Sequence, residues 1–181
     1  MTTLISIVTP CYNEAGNARE MYEAIRAIFA GLPQYRYEHI FIDNASKDGT
    51  PRILRELAAG DTNVKVILNA RNFGHVRSGY YALLQTSGAA VIALACDFQD
   101  PPELIPECLR RWTAGSKVVL GVKESSDESG LFYAIRSSYY RTLHRLYDTA
   151  VGLLSTGYGV FCQTVDTRAT MGDGRGESQW G

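Results

Sequence analysis

Short runs of β-branched and aliphatic residues alternate along this chain with stretches whose apolar positions recur at helical spacing. Residues 4–9 (LISIVT) form the first run, which predicts a buried strand ended by Pro10. Residues 15–30 place Met21, Ile25, Ile28 and Phe29 on one helical face. Further strands are predicted over 37–42, 64–68, 90–95 and 117–122. Helices are predicted over 51–58, 76–85 and 101–112, with Pro51 acceptable in a first turn. Such alternation implies an α/β fold: a mostly parallel sheet with helices on both faces. Ligands of these folds bind beyond the carboxyl ends of the strands, where the polar loops of this chain fall.

The pattern changes after residue 122. Residues 123–130 are polar, and 131–154 are helix-prone with Phe132, Ile135, Tyr139, Leu143, Leu146 and Val151 near helical spacing. Arg136, Arg141 and Arg145 are interleaved and suit lipid head groups. An ordinary amphipathic helix packed on the sheet fits the same periodicity, and both readings stay open. From Gln163 onward the chain is Gly-rich and aperiodic, so a domain is expected over 1–162 and a disordered or foreign tail over 163–181.

Composition narrows the function classes. A length of 181 residues suits one domain with a sizeable core. A net charge of -1 gives no global attraction to nucleic acid, so any anion site must be local. Cys11, Cys96, Cys108 and Cys162 show no CxxC pairing, which favours buried free thiols in a reducing compartment. The N-terminus lacks signal-peptide character and no apolar run is bilayer-length, so a cytoplasmic location is expected.

Four loops carry candidate chemistry. After the first strand, backbone groups and Tyr12 can approach a planar base or ribose; Glu14 can bond a hydroxyl, but taken alone it reads as a helix-start acid. After the second, Asp43 is placed to accept from a base imide or ribose hydroxyl, or to serve a turn, while Ser46, Asp48 and Gly49 read as turn residues. The third, residues 71–79, offers a helix start with Arg71 and Arg77 for phosphate; His75 alone is a weak ligand signal. The fourth is ACDFQDPPE. Asp97 and Gln99, two apart, would point the same way if strand geometry persisted and could share Mg²⁺ or Mn²⁺ with phosphate oxygens. Asp100 before Pro101-Pro102 reads as a helix N-cap.

Taken together, TPCYNEAGN, FIDNASKDGT, the run from RNFGH to DFQDPPELI and VVLGVK resemble family-2 glycosyltransferases of the GT-A fold, most nearly the polyprenyl-phosphate branch. The resemblance covers roughly residues 4–160. It implies that Pro10, Tyr12, Glu14, Asp43 and Arg71 bind nucleotide, and that Asp97 and Gln99 hold Mg²⁺ or Mn²⁺ and the donor diphosphate. Arg136 would face the acceptor phosphate or the leaving diphosphate. The expected partners are a nucleotide-diphosphate sugar, a polyprenyl phosphate and the cytoplasmic face of a membrane; a homo-oligomer is left open. The expected reaction inverts the anomeric carbon. A lipid phosphate acceptor is already ionised and needs no general base.

Two departures stand out. Ala95 occupies the place of the first acid of the D-x-D motif common in these enzymes, and the residues after TGYGVF do not resemble the usual continuation. They keep two alternatives in view: a soluble transferase acting on a saccharide, and a nucleotide-sugar-binding remnant without activity. A nicotinamide-binding Rossmann protein fits poorly, because no GxGxxG follows the first strand.

Overall fold

The computed structural model of the chain describes residues 2–116, 118–119 and 161–163. In chain order the elements are β1 (Thr3–Cys11), α1 (Ala18–Ala30), β2 (Tyr35–Asp43), α2 (Thr50–Gly60), β3 (Val64–Leu68), α3 (His75–Leu83) and β4 (Ala90–Ala93). A 3-10 turn (Pro102–Leu104), α4 (Ile105–Thr113), β5 (Val118–Val119) and β6 (Phe161–Gln163) follow. The sheet order is β3-β2-β1-β4-β6-β5. β1 pairs in parallel with β2 and β4, β2 pairs in parallel with β3, and β6 runs antiparallel between β4 and β5.

Alternation along the strands divides the core between two faces. On one face Ile5, Ile7, Phe41 and Ile92 pack beneath α1, α2 and α4, which contribute Met21, Ile25, Leu54, Ile105 and Leu109. On the other, Val8, Ile40, Ile42 and Val91 pack against Ala82 of α3. Burying each large side chain contributes roughly 1.5–3 kcal/mol, enough to fix which face each strand presents. No helix among the described residues is long and apolar enough to cross a membrane.

Five local expectations need correction. Pro10 does not end β1: it pairs with Ile42 inside the strand. β4 accompanies β1 only as far as Ala93 opposite Val8, so beyond that point the missing Pro10 amide faces no ladder on that side. β4 stops at Ala93 rather than residue 95, and the helix expected from 101 is split into the 3-10 turn and α4. Asp100 is not an N-cap. Pro101, extended as the residue before a proline must be, holds that position, and Asp100 is buried. β6 enters the sheet where no strand was expected. The helix expected over 131–154, with Arg136, Arg141 and Arg145, lies outside the described residues, as does the tail from 164.

At the amino end of the sheet a polar clamp ties the α3–β4 connection to the strands. Buried Glu38 accepts from the Ser6 hydroxyl, the Ser87 amide at 2.6 Å and Lys65 Nζ at 2.6 Å. Ser6 Oγ in turn accepts from the Gly88 amide at 2.8 Å. Burial pushes the Glu38 carboxyl up, but Lys65, Ser6 and the Ser87 amide outweigh it and hold it below the usual range. Gly88 is required here by close approach: a Cβ would lie 2.6 Å from the Ser6 nitrogen.

Candidate functional site

A cleft of about 370 Å³ opens at the carboxyl ends of the parallel strands. β1 and its loop supply Pro10, Cys11, Tyr12 and Glu14 to its wall; the loop after β2 supplies Asn44. The turn before α3 supplies Asn72, α3 itself His75 and Ser78, and the loop after β4 supplies Ala95, Cys96 and Asp97. Two grooves of about 440 and 540 Å³ lie at the opposite end, around Tyr35 and Thr113, but no carboxylate lines either. Position and chemistry therefore favour the smaller cleft.

Backbone strain is concentrated around the same strand ends. Asn13 (φ 58°), Ala45 (φ 62°) and Phe98 (φ 57°) are the non-glycine residues in the left-handed region among the described residues. They fall in the loops after β1, β2 and β4, respectively. Such conformations cost about 1–3 kcal/mol each and persist only where surrounding contacts enforce them.

Those contacts run between the first two loops. The Asn13 amide donates to Ser46 Oγ and the Lys47 amide to Asn13 Oδ1. The Glu14 amide donates to Thr50 Oγ1 at 2.8 Å and the Ala15 amide to Asp48 Oδ2 at 3.1 Å. Ser46 and Asp48 are thus turn residues that also buckle one loop to the other. Burial pushes the Asp48 carboxyl up, yet its bonds to Thr50 and the Ala15 amide hold it below the usual range. Glu14 faces the cleft and also serves the helix start: its carbonyl accepts from the Asn17 and Ala18 amides, and its Oε2 from Asn17 Nδ2.

Asp43 is buried at the end of β2. Its Oδ2 accepts from the Ser46 amide at 3.0 Å, while its Oδ1 is buried without a hydrogen-bond partner among the described residues. An orphaned buried carboxylate oxygen is a candidate acceptor for a ligand's donor. Asp43 itself is not part of the cleft wall.

The third wall is held by asparagines that sequence reasoning missed. Asn44 Nδ2 donates to Asn72 Oδ1 at 3.0 Å, and Asn44 Oδ1 accepts from the Phe73 amide at 2.9 Å. Asn69 Nδ2 donates to Ser78 Oγ and to Asn44 Oδ1. This ladder fixes the turn that brings His75 and Ser78 to the cleft. Asn at each strand end was a weak signal, because turns use Asn for local reasons. Arg71 lies outside the cleft wall, its guanidinium 4.9 Å above the Phe73 ring.

Beyond Ala93 the fourth loop leaves strand geometry, and the left-handed Phe98 separates Asp97 from Gln99. The two-residue alternation expected to align them does not apply. Asp97 is exposed on the cleft wall, with Oδ1 accepting from the Gln99 amide at 3.2 Å; the Gln99 side chain is exposed and outside the wall. Among the described residues no three His, Cys, Asp or Glu side chains group to hold a metal ion. The donor set fits Mg²⁺ or Mn²⁺ only as such ions commonly bind beside phosphates, through one or two carboxylates plus phosphate oxygens and water.

The family model of glycosyl transferase family 2 matches residues 6–169. A bactoprenol glucosyl transferase of Shigella phage SfX is 34% identical over 145 residues, 80% of this chain and 47% of the relative. An undecaprenyl-phosphate 4-deoxy-4-formamido-L-arabinose transferase of Pseudomonas fluorescens is 32% identical over 170 residues, 93% of this chain and 48% of the relative. The chain thus spans about half the length of the curated relatives it matches. Among solved structures, glucosyl-3-phosphoglycerate synthase from Mycobacterium tuberculosis, in complex with Mn²⁺, UDP-glucose and phosphoglyceric acid, superposes with TM-score 0.60. Its identity is 20%, covering 90% of this chain and 57% of that one. A mannosyltransferase from Pyrobaculum calidifontis, in complex with GDP-Man and Mn²⁺, gives TM-score 0.57 at 21% identity, covering 76% and 39%. These likenesses establish the GT-A architecture expected from the sequence.

Proposed function

The chain belongs to glycosyl transferase family 2, and from that premise we propose that it carries the donor half of an inverting transferase that moves a sugar from a nucleotide diphosphate to a polyprenyl phosphate. The observation carrying the donor site is Asp43, whose buried Oδ1 lacks a partner among the described residues, beside a cleft walled by Pro10, Tyr12, Glu14 and Asp97. A base imide or ribose hydroxyl would supply the missing donor, and Tyr12, 45% exposed, offers a ring for the base. The polyprenyl acceptor is inferred from the relatives' substrates as their names give them.

In this reading Asp97 would hold Mg²⁺ or Mn²⁺ together with the donor diphosphate. When bound, such an ion neutralises charge on the departing diphosphate. The protein's own part is positional. The buckled first two loops hold Asp43 and Tyr12 rigid, and the asparagine ladder sets His75 and Ser78 on the facing wall. Gln99, Arg71 and Arg136 keep their proposed roles toward metal, nucleotide and acceptor phosphate. Docking on the cytoplasmic face of a membrane belongs to the same proposal.

The test is transfer of radiolabelled sugar from a panel of nucleotide sugars to undecaprenyl phosphate in detergent, with and without Mn²⁺. Metal-dependent glycolipid formation supports the reading. Transfer to saccharides but not to the lipid phosphate would overturn the acceptor assignment. Ala95 on the cleft wall favours a second reading, nucleotide-sugar binding without turnover, and donor affinity with no product on any acceptor would select it.

A further inference from the structure

Two thiols meet in the wall of the cleft. Cys11 closes β1, and Cys96 follows the end of β4 by three residues. The last register pair of these neighbouring strands is Val8 with Ala93, so each cysteine stands three residues beyond it. The Leu94 amide still donates to the Val8 carbonyl at 2.9 Å, keeping the backbones together two residues before Cys96. A disulfide between them requires a Cα separation of roughly 4.4–6.8 Å. The Cys11 thiol donates to the Thr9 carbonyl at 3.6 Å, both side chains belong to one buried cluster, and the neighbouring Cys96 thiol together with burial pushes the Cys11 thiol well above its ordinary pKa. Both cysteines are free, each is 2% exposed, and both line the cleft.

The geometry points to Cys11 and Cys96 as a dithiol that hydrogen peroxide, entering through the cleft, closes to a disulfide, narrowing the site between Tyr12 and Asp97. One sulfur attacks the peroxide: an S–O bond forms, the O–O bond breaks, and water leaves with the thiol proton. The second sulfur then attacks the first, the S–S bond forms, the S–O bond breaks and a second water leaves. The two thiols together lose two electrons and two protons, and the peroxide is reduced to two waters. Both thiols are shielded, which admits a small neutral oxidant more readily than a bulky disulfide reagent. A bond between the residues preceding Tyr12 and Asp97 would draw the first and fourth loops together. That consequence for nucleotide rests on the function proposed above; the disulfide does not.

The experiment exposes the full 181-residue chain to hydrogen peroxide and reads intact mass and peptide maps. Loss of two hydrogens and a linked Cys11–Cys96 peptide are expected, restored by dithiothreitol and absent in both Cys11→Ala and Cys96→Ala. Sulfinic acid on either thiol without a link, or a link to Cys108 or Cys162, would overturn the pairing. Calorimetry with UDP-glucose or GDP-mannose and Mn²⁺ then compares the reduced and oxidised chain. A reversible loss of about tenfold or more in affinity is expected, and equal affinities with the mapped link present would overturn the effect on the site. Should the reduced chain bind no nucleotide sugar, the donor-site reading fails, and the dithiol is judged by the peptide map alone.

Discussion

The Asn13 amide donates to Ser46 Oγ at 2.8 Å, while Asn13 Oδ1 accepts from the Lys47 amide at 2.9 Å. Two loops 33 residues apart in sequence are therefore joined by a reciprocal pair of bonds at the mouth of the cleft. The pair holds Asn13 in the left-handed region.

Asn13→Ala and Ser46→Ala should each cost about 1 kcal/mol, because each removes a hydrogen bond partly replaced by water. Their effects should not add, since both act on the same buckle. A double-mutant cycle by urea denaturation checks this, and strict additivity would show that the loops are held independently.

Asp97→Asn retains an acceptor for the Gln99 amide on an exposed side chain, so stability should change by less than about 0.5 kcal/mol. The affinity for nucleotide sugar with Mn²⁺ should fall by about tenfold or more, equivalent to about 1.4 kcal/mol. Calorimetry of the two proteins side by side is the measurement; equal affinities would remove Asp97 from the site.

His39 is wholly buried, stacked near Phe41 and hydrogen-bonded to Thr9 Oγ1, and burial lowers its pKa from 6.5 to about 3. Between those values the unfolded chain binds a proton that the folded chain does not. Stability therefore falls as pH drops through this window and is fully present only above 6.5. Acidification from pH 7 to pH 5 should cost about 2 kcal/mol through this residue. His39→Phe should remove that part of the slope, measured by denaturation at the two pH values. An unchanged slope would mean that the ring is protonated or exposed in the native state.

Gly88→Ala would set a methyl 2.6 Å from the Ser6 nitrogen and 2.7 Å from its hydroxyl, inside the clamp on Glu38. Backbone atoms cannot yield as a side chain can, so a loss of about 1–3 kcal/mol is expected. Glu38→Ala should cost a similar amount, because it leaves the Ser87 amide and the Ser6 hydroxyl without their acceptor. Thermal melts of both variants check the pair; a Gly88→Ala melt equal to wild type would mean the connection is loose.

Much was determined by sequence alone. The order of strands and helices as far as α4, the face α1 buries, and the placing of Pro10, Tyr12, Glu14 and Asp97 at one sheet end follow from periodicities of two and of 3.6. Those are local properties, readable wherever one face must be apolar. The tertiary structure decided what depends on partners distant in the chain. Pro10 stays in β1 because β4 ends first. Asp97 and Gln99 part because Phe98 turns left-handed. Ser46 and Asp48 reach another loop, and Asn44, Asn69 and Asn72 become a ladder only when β2, β3 and α3 converge. A hydrogen bond needs both partners within about 3 Å, and only the folded chain sets that distance.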